Sequence, residues 1–306
     1  MKELTFAASN GEHNIRAVVW TPKNPKYIIQ IAHGMCEYAE RYAEFAEYLI
    51  ERGFVVCAND HAGHGGSINK TRGYFGKSDG WKHMVDDMHT LYSMVKKEFP
   101  NLPAFLLGHS MGSFLARSYC AKYGKELSGA IFSGTGDKPA SLNFALFLCK
   151  VMKKLGHEEK EGKIFYDFST KQYNKHFSPN RTGSDWLSRD EKLVDAFIAE
   201  ERSNFFFTIG GYCDLFMLLA DISAREWAVR IPKNLPIYLF SGGEDPVGDY
   251  GRGVFKVFKR LTAAGCHDVS IKLYGLGRHE MLNETIRQEV YADTYNWLSC
   301  RGAAAG

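Results

Sequence analysis

Residues Gly108–Gly112 read Gly-His-Ser-Met-Gly and set Ser110 between two glycines where an apolar run, Ala104 to Leu107, ends. A serine hydroxyl holds almost no alkoxide at neutral pH, so it attacks a carbonyl only when a base takes its proton. A candidate base is His279, in a glycine-containing loop behind the apolar run that starts at Val269. A candidate carboxylate to orient that base is Asp245, which follows the run from Pro236 to Phe240; Glu244 and Asp249 stand close enough to take its place. In the order Ser110, Asp245, His279 each residue falls beyond a strand-like segment, as a nucleophile, an acid and a base converging at one edge of a sheet must. The glycines fit a sharp strand-to-helix turn, where a side chain at either flank would run into the neighbouring element.

Acyl transfer also develops charge on the carbonyl oxygen, which needs donors aimed at it. The amide of Met111 opens a predicted helix, where N–H groups lack partners and an anion is favoured. The amide of Met35, behind the His33-Gly34 turn that closes an early strand, is the second candidate for this oxyanion hole. Asp60, His61 and His64 form a different cluster. A carboxylate beside an H-x-x-H pair has metal-ligand chemistry. The spacing is not that of an H-E-x-x-H helix, and Gly63, Gly65 and Gly66 oppose a helix there. The expectation is a hydrogen-bonded loop, with no metal and no organic cofactor.

The elements that must hold these residues can be read from periodicity. Short strands are expected over Leu4–Ala8 and Ile15–Trp20. Compact apolar runs at Tyr27–His33, Phe54–Asp60, Ala104–Ser110, Leu127–Gly134, Pro236–Asp245 and Val269–Gly275 suit strands buried on both faces of a parallel sheet. Helical stripes alternate with them: Tyr42 to Ile50, with Gly53 behind it; Met84 to Val95, stopped before Pro100; Met111 to Tyr123; Tyr250 to Ala264; and Leu282 to Leu298. This alternation predicts an α/β fold, mostly parallel, with helices on both faces of the sheet. No strand-and-crossover pattern appears from Gly136 to about Arg225, a stretch rich in aromatics. The domain reading is therefore a core over residues 1–136 and 226–300, a helical cap inserted at 137–225, and a tail at 301–306.

The 306 residues are 45% hydrophobic and 24% charged, enough for one large core, and the net charge of +3 with no basic block speaks against nucleic-acid binding. The seven cysteines show no C-x-x-C pair and are odd in number, which reads as free thiols in a reducing, cytoplasmic compartment. No apolar run reaches the length of a membrane span, and the first ten residues lack a signal-peptide core.

Five segments, "HGMCEYAERY", "NDHAGHGGS", "GHSMGS", "GGEDPVG" and "GRHEMLNE", occur in this order from His33 to Glu284. In them the chain resembles the monoacylglycerol lipase and lysophospholipase branch of the α/β-hydrolase superfamily, the serine aminopeptidase-like hydrolases. The resemblance implies Ser110 as nucleophile, Asp245 as acid, His279 as base, the Met35 and Met111 amides as oxyanion hole, and a variable helical cap. Cys36 and Tyr38 depart from the small residue and histidine common at their positions, and Ser113 from a third glycine. The function expected is hydrolysis of carboxylic esters, monoacylglycerols or lysophospholipids, through an acyl-enzyme on Ser110, with transient membrane-surface contact through the cap. An aminopeptidase, holding an amine on Glu200, Glu201 or Asp214, and an acyltransferase use the same triad. A non-catalytic binding module fits poorly, since no triad member is missing. Cap aromatics such as Phe144, Phe147, Phe165, Phe168, Phe205 and Phe216 are expected to pack on the sheet or roof an apolar pocket.

Overall fold

The computed structural model describes residues 1–168 and 170–304. Eight strands form one sheet: β1 (Lys2–Ala7), β2 (Asn14–Trp20), β3 (Tyr27–Ala32), β4 (Phe54–Asn59), β5 (Ala104–His109), β6 (Gly129–Ser133), β7 (Ile237–Gly242) and β8 (Val269–Tyr274). Their order is β1-β2-β4-β3-β5-β6-β7-β8. Strand β2 runs antiparallel to both β1 and β4, and all the remaining pairs are parallel. Every residue of β4, β5, β6 and β7 is buried. That two-sided burial is what unbroken apolar runs demand, because helices cover both faces. The chain leaves β3 towards β4 on one side and returns to β5 on the other. The C-terminal ends of β3 and β5 therefore flank the point where the winding reverses, the place where open α/β sheets form a crevice.

The helix over Ala43–Ile50 ends in a turn closed by Gly53, whose φ of +88° suits a residue without Cβ. Helix Gly80–Glu98 and helix Met111–Tyr123 pack together on one face. The last helix begins at Arg287, later than the expected Leu282. The intervening Glu284 carboxylate is fully buried and accepts from the amides of Arg189, Arg278 and Thr285, which holds the preceding residues in a loop. The same helix runs on to Ala304, beyond the point where a tail was expected. The Phe168 side chain and residues 305–306 lie outside the described part.

Between β6 and β7 the chain is helical, with its longest pieces at Leu142–Lys154, Glu191–Ala199 and Ile209–Ser223. Arg117, two turns into the helix after Ser110, is fully buried beneath this segment. Its guanidinium donates to the carbonyls of Gly136 (2.7 Å) and Ile222 (2.8 Å) and lies 4.3 Å from the Trp227 ring centre. Burial pulls its pKa down to about 9, so it keeps its charge at neutral pH. The expectation of seven free thiols fails at Cys149 and Cys213, which form a disulfide between helices Leu142–Lys154 and Ile209–Ser223. The two helices face each other with these Cα atoms 5.5 Å apart, a closeness that sequence spacing does not reveal. The cysteine count therefore carries no argument for a reducing compartment.

Candidate active site

Ser110 stands between β5 and the helix that starts at Met111, with φ 52° and ψ −121°. A non-glycine residue at positive φ is strained by about 1–3 kcal/mol and stays there only when its surroundings dictate it. They do. The Ser110 amide donates to the Ser133 carbonyl at 3.0 Å, and the Ser110 carbonyl accepts from the Ser113 amide (2.8 Å) and hydroxyl (2.6 Å). A Cβ on Gly108 would come within 2.2 Å of the Gly112 carbonyl oxygen, and one on Gly112 within 2.0 Å of the Ala32 carbonyl oxygen. Both glycines are thus fixed by close backbone approach.

Asp245 and His279 follow β7 and β8 and meet. His279 Nδ1 lies 2.9 Å from Asp245 Oδ1. The acid also accepts from the Ser241 hydroxyl (2.7 Å, at Oδ2) and the Val247 amide (2.9 Å, at Oδ1). Asp245 is fully buried and His279 nearly so. Burial alone would raise the carboxyl pKa, but the facing imidazole and these donors outweigh it and hold Asp245 below the usual carboxylate range. Burial would likewise lower His279, yet the Asp245 charge and hydrogen bond lift it above the ordinary histidine value. The alternatives for the acid point elsewhere: Glu244 pairs with His176 at 2.8 Å and Asp249 with Arg252 at 2.7 Å, both near the surface.

Ser110 and His279 border one cavity of about 510 Å³. Met35 and Met111 line it too. The loop bearing Met35 lies against the serine, since a Cβ on Gly34 would sit 3.1 Å from Ser110 Cβ. Met111 is the first residue of its helix, where amides have no intrahelical acceptor. Ser110, His279, Met35 and Met111 thus share one cavity wall, the placement that acyl transfer asks of a nucleophile, a base and oxyanion donors. The rest of the wall is largely apolar, with Phe114, Leu142, Phe205, Phe206, Phe216 and Leu219. Phe144 and Phe147 do not join it: they are 60% and 64% exposed, because they lie on the outward side of their helix.

Several residues that sequence reasoning passed over shape this site. The Glu37 carboxylate accepts from the Gly34 amide (2.5 Å) and the Tyr42 hydroxyl (2.8 Å), and pairs with Arg41. Arg41 reaches on to Glu280 in a bidentate pair, 2.9 and 2.8 Å. Glu37 and Arg41 lie inside a motif already singled out; nothing in the sequence marks Ser241 or Trp186, which border the acid and the base. The Asp60 loop is hydrogen-bonded as expected. Its carboxylate accepts from the amides of Ala39 and Gly66, both at 2.8 Å, and His33 Nε2 accepts from the His61 amide at 2.9 Å. Burial drives the pKa of His33, His61 and His64 below the ordinary value, so the three packed rings are neutral. Of the carboxylates considered for an amine, Glu200 is tied to Arg202 and Tyr38, and Asp214 is buried against the amides that open helix Gly80–Glu98.

Among known proteins, the chain is 28% identical to monoacylglycerol lipase from Mycolicibacterium smegmatis, over 97% of this chain and 96% of that protein. It is 27% identical to human monoglyceride lipase, over 94% and 87%. The crystal structure of a thermostable carboxyl esterase from Bacillus coagulans, in complex with glycerol, superposes with a TM-score of 0.94 at 33% identity, covering 98% of both chains. Residues 23–286 match the model of the serine aminopeptidase S33 family. With that match spanning every strand from β3 to β8 and the whole site, the chain belongs to the serine aminopeptidase S33 family of the α/β-hydrolase fold.

Proposed function

We propose that this protein is a serine ester hydrolase whose substrates are lipids with a single acyl chain, monoacylglycerols or lysophospholipids. The observation that carries the reading is the opening onto one apolar cavity of Ser110 and of His279, the latter backed by the buried Asp245. Ser110 Oγ attacks the ester carbonyl as His279 takes its proton. Asp245 holds Nδ1 of the imidazole protonated and offsets the charge of the imidazolium. The Met35 and Met111 amides receive the oxyanion, a contribution of about 2.7–4 kcal/mol for one donor in a comparable site. His279 then protonates the leaving alcohol, and water enters by the same route to free the acyl group.

The cavity speaks for an acyl chain over a peptide N-terminus. An ammonium needs an unpaired carboxylate, and the three that border the cavity, Glu37, Asp137 and Glu280, each face an arginine. The helical segment 137–225 acts as a cap over the crevice. Its helix Leu142–Lys154 presents Phe147, Val151 and the following Leu155 to solvent, beside Lys150, Lys153 and Lys154. Such a face suits transient contact with a membrane surface, where the substrate resides. The deciding experiment is Ser110→Ala. The variant should fold, lose fluorophosphonate labelling, and lose ester turnover by a factor on the order of 10⁶. Labelling that survives the substitution would place the nucleophile elsewhere.

A further inference from the structure

Residues 185–189 of the helical segment form a strap on the loop that carries His279. The His279 amide donates to the Trp186 carbonyl at 3.4 Å and the Glu280 amide to the Leu187 carbonyl at 2.8 Å. The Ser188 hydroxyl donates to the Asn283 carbonyl at 2.8 Å. The Arg189 amide and Nε each donate to the Glu284 carboxylate at 3.0 Å, and Arg278 Nη1 donates to the Ser188 carbonyl at 3.2 Å. At the centre of this strap the Trp186 ring covers the His279 imidazole, centroids 5.0 Å apart and planes inclined by 37°. His109 covers another side at 4.7 Å. Trp186 is held in turn: its amide donates to Asn174 Oδ1 at 3.0 Å and Tyr173 packs on its ring at 4.9 Å.

We infer that Trp186 is a positioning residue for the base, aligning the imidazole of His279 and stabilising its protonated form through the indole face. The inference rests on the reading of Ser110, Asp245 and His279 as a triad. During attack the buried His279 becomes an imidazolium. An indole face within about 6 Å of a cation attracts it, and more strongly where both are desolvated. The neutral His109 ring on the other side offers no charge, since burial and the nearby His279 hold its pKa down at about 4. The other charged groups acting on His279 are Asp245, Glu280 and Glu37, with Arg41 pairing the last two. The effect of Trp186 is therefore a difference on top of a fixed electrostatic background.

The test compares Trp186→Leu, which keeps apolar cover without a π face, with Trp186→Phe, which keeps a ring. Trp186 also borders the cavity, so the discriminating readouts are turnover and its pH profile: Trp186→Leu should lower kcat roughly 3- to 30-fold and move the acidic limb of kcat/KM down by roughly half to one pH unit. Trp186→Phe should restore most of both. Equal effects of Leu and Phe, or an unmoved limb, would reduce Trp186 to packing and overturn the inference. A second measurement needs neither a substrate nor the Leu variant to fold. A protonated imidazole in contact with indole quenches its emission, so the free enzyme should show a pH-dependent emission step that is lost in Trp186→Phe and in His279→Gln. A step that persists in Trp186→Phe comes from another of the five tryptophans and refutes the contact. Loss of the step in both variants, in a protein that hydrolyses no ester, would uphold the Trp186–His279 contact while overturning both the functional reading and the positioning role that rests on it.

Discussion

At the scale of single residues, the site separates Asp245 from two carboxylates that sequence alone left as alternatives. Asp245→Asn should cut turnover by around 10⁴, as the equivalent change does in a serine protease triad, because an amide cannot hold the imidazole in its working tautomer. Glu244→Gln and Asp249→Asn, whose partners lie outside the cavity, should leave turnover nearly intact. The pH dependence has a definite sign. The proposed mechanism needs His279 neutral, and Asp245 lifts its pKa, so the wild-type rate should fall with decreasing pH through a midpoint above the ordinary 6.5. In Asp245→Asn that midpoint should move down; a limb that stays put in stopped-flow or steady-state profiles would reassign the acid. The sharp turn at Ser110 and its two glycines were legible because that turn permits so few residue types, and the facing of Asp245 and His279 because each follows its own strand. Ser241 was not, because a serine in a strand is ordinary, and only the fold brings its hydroxyl to the acid. Trp186 was hidden for the same reason, since only the fold brings its ring to a loop distant in sequence.

At the scale of elements, all eight strands lie where the sequence places them, and β4 to β7 most plainly, since burial on both faces leaves an unbroken apolar run. The last helix was misjudged at both ends. Its predicted start fell on residues that Glu284 holds in a loop, and its alanine-rich end continues the helix to Ala304. The disulfide was illegible, because Cys149 and Cys213 are 64 residues apart with no motif between them. It ties the helices that carry Leu142 and Ala145 on one side of the cavity to those that carry Tyr212 and Phe216 on the other. Thiol titration of the denatured, unreduced protein should count five groups, rising to seven after reduction. Replacing both paired cysteines by alanine should lower the thermal midpoint, with up to about 4 kcal/mol at stake for a loop of this size by chain-entropy arguments. Seven thiols without reductant would show the pair to be open.

At the scale of the whole molecule, the crevice lies at the switch between β3 and β5, and the helical segment closes it into an apolar cavity. Each buried methylene contributes about 0.8 kcal/mol, or roughly a fourfold gain in kcat/KM. A p-nitrophenyl ester series should therefore climb from acetyl to medium-length chains and level off when the cavity is full, and monoacyl lipids should outpace triacylglycerols. A maximum at acetyl, or rapid release of N-terminal residues from aminoacyl substrates, would favour a small-ester hydrolase or a peptidase. Arg117 has a consequence of another kind. Its two arms grip the carbonyls where the chain departs the sheet layer and where it comes back, Gly136 and Ile222. Because exit and return already touch one guanidinium, whatever is threaded between them adds little closure entropy, about 0.6 kcal/mol for each doubling of its length. The molecule is built like a tool with a chuck: lengthening or reshaping the roof between these two grips should cost the sheet below it little stability.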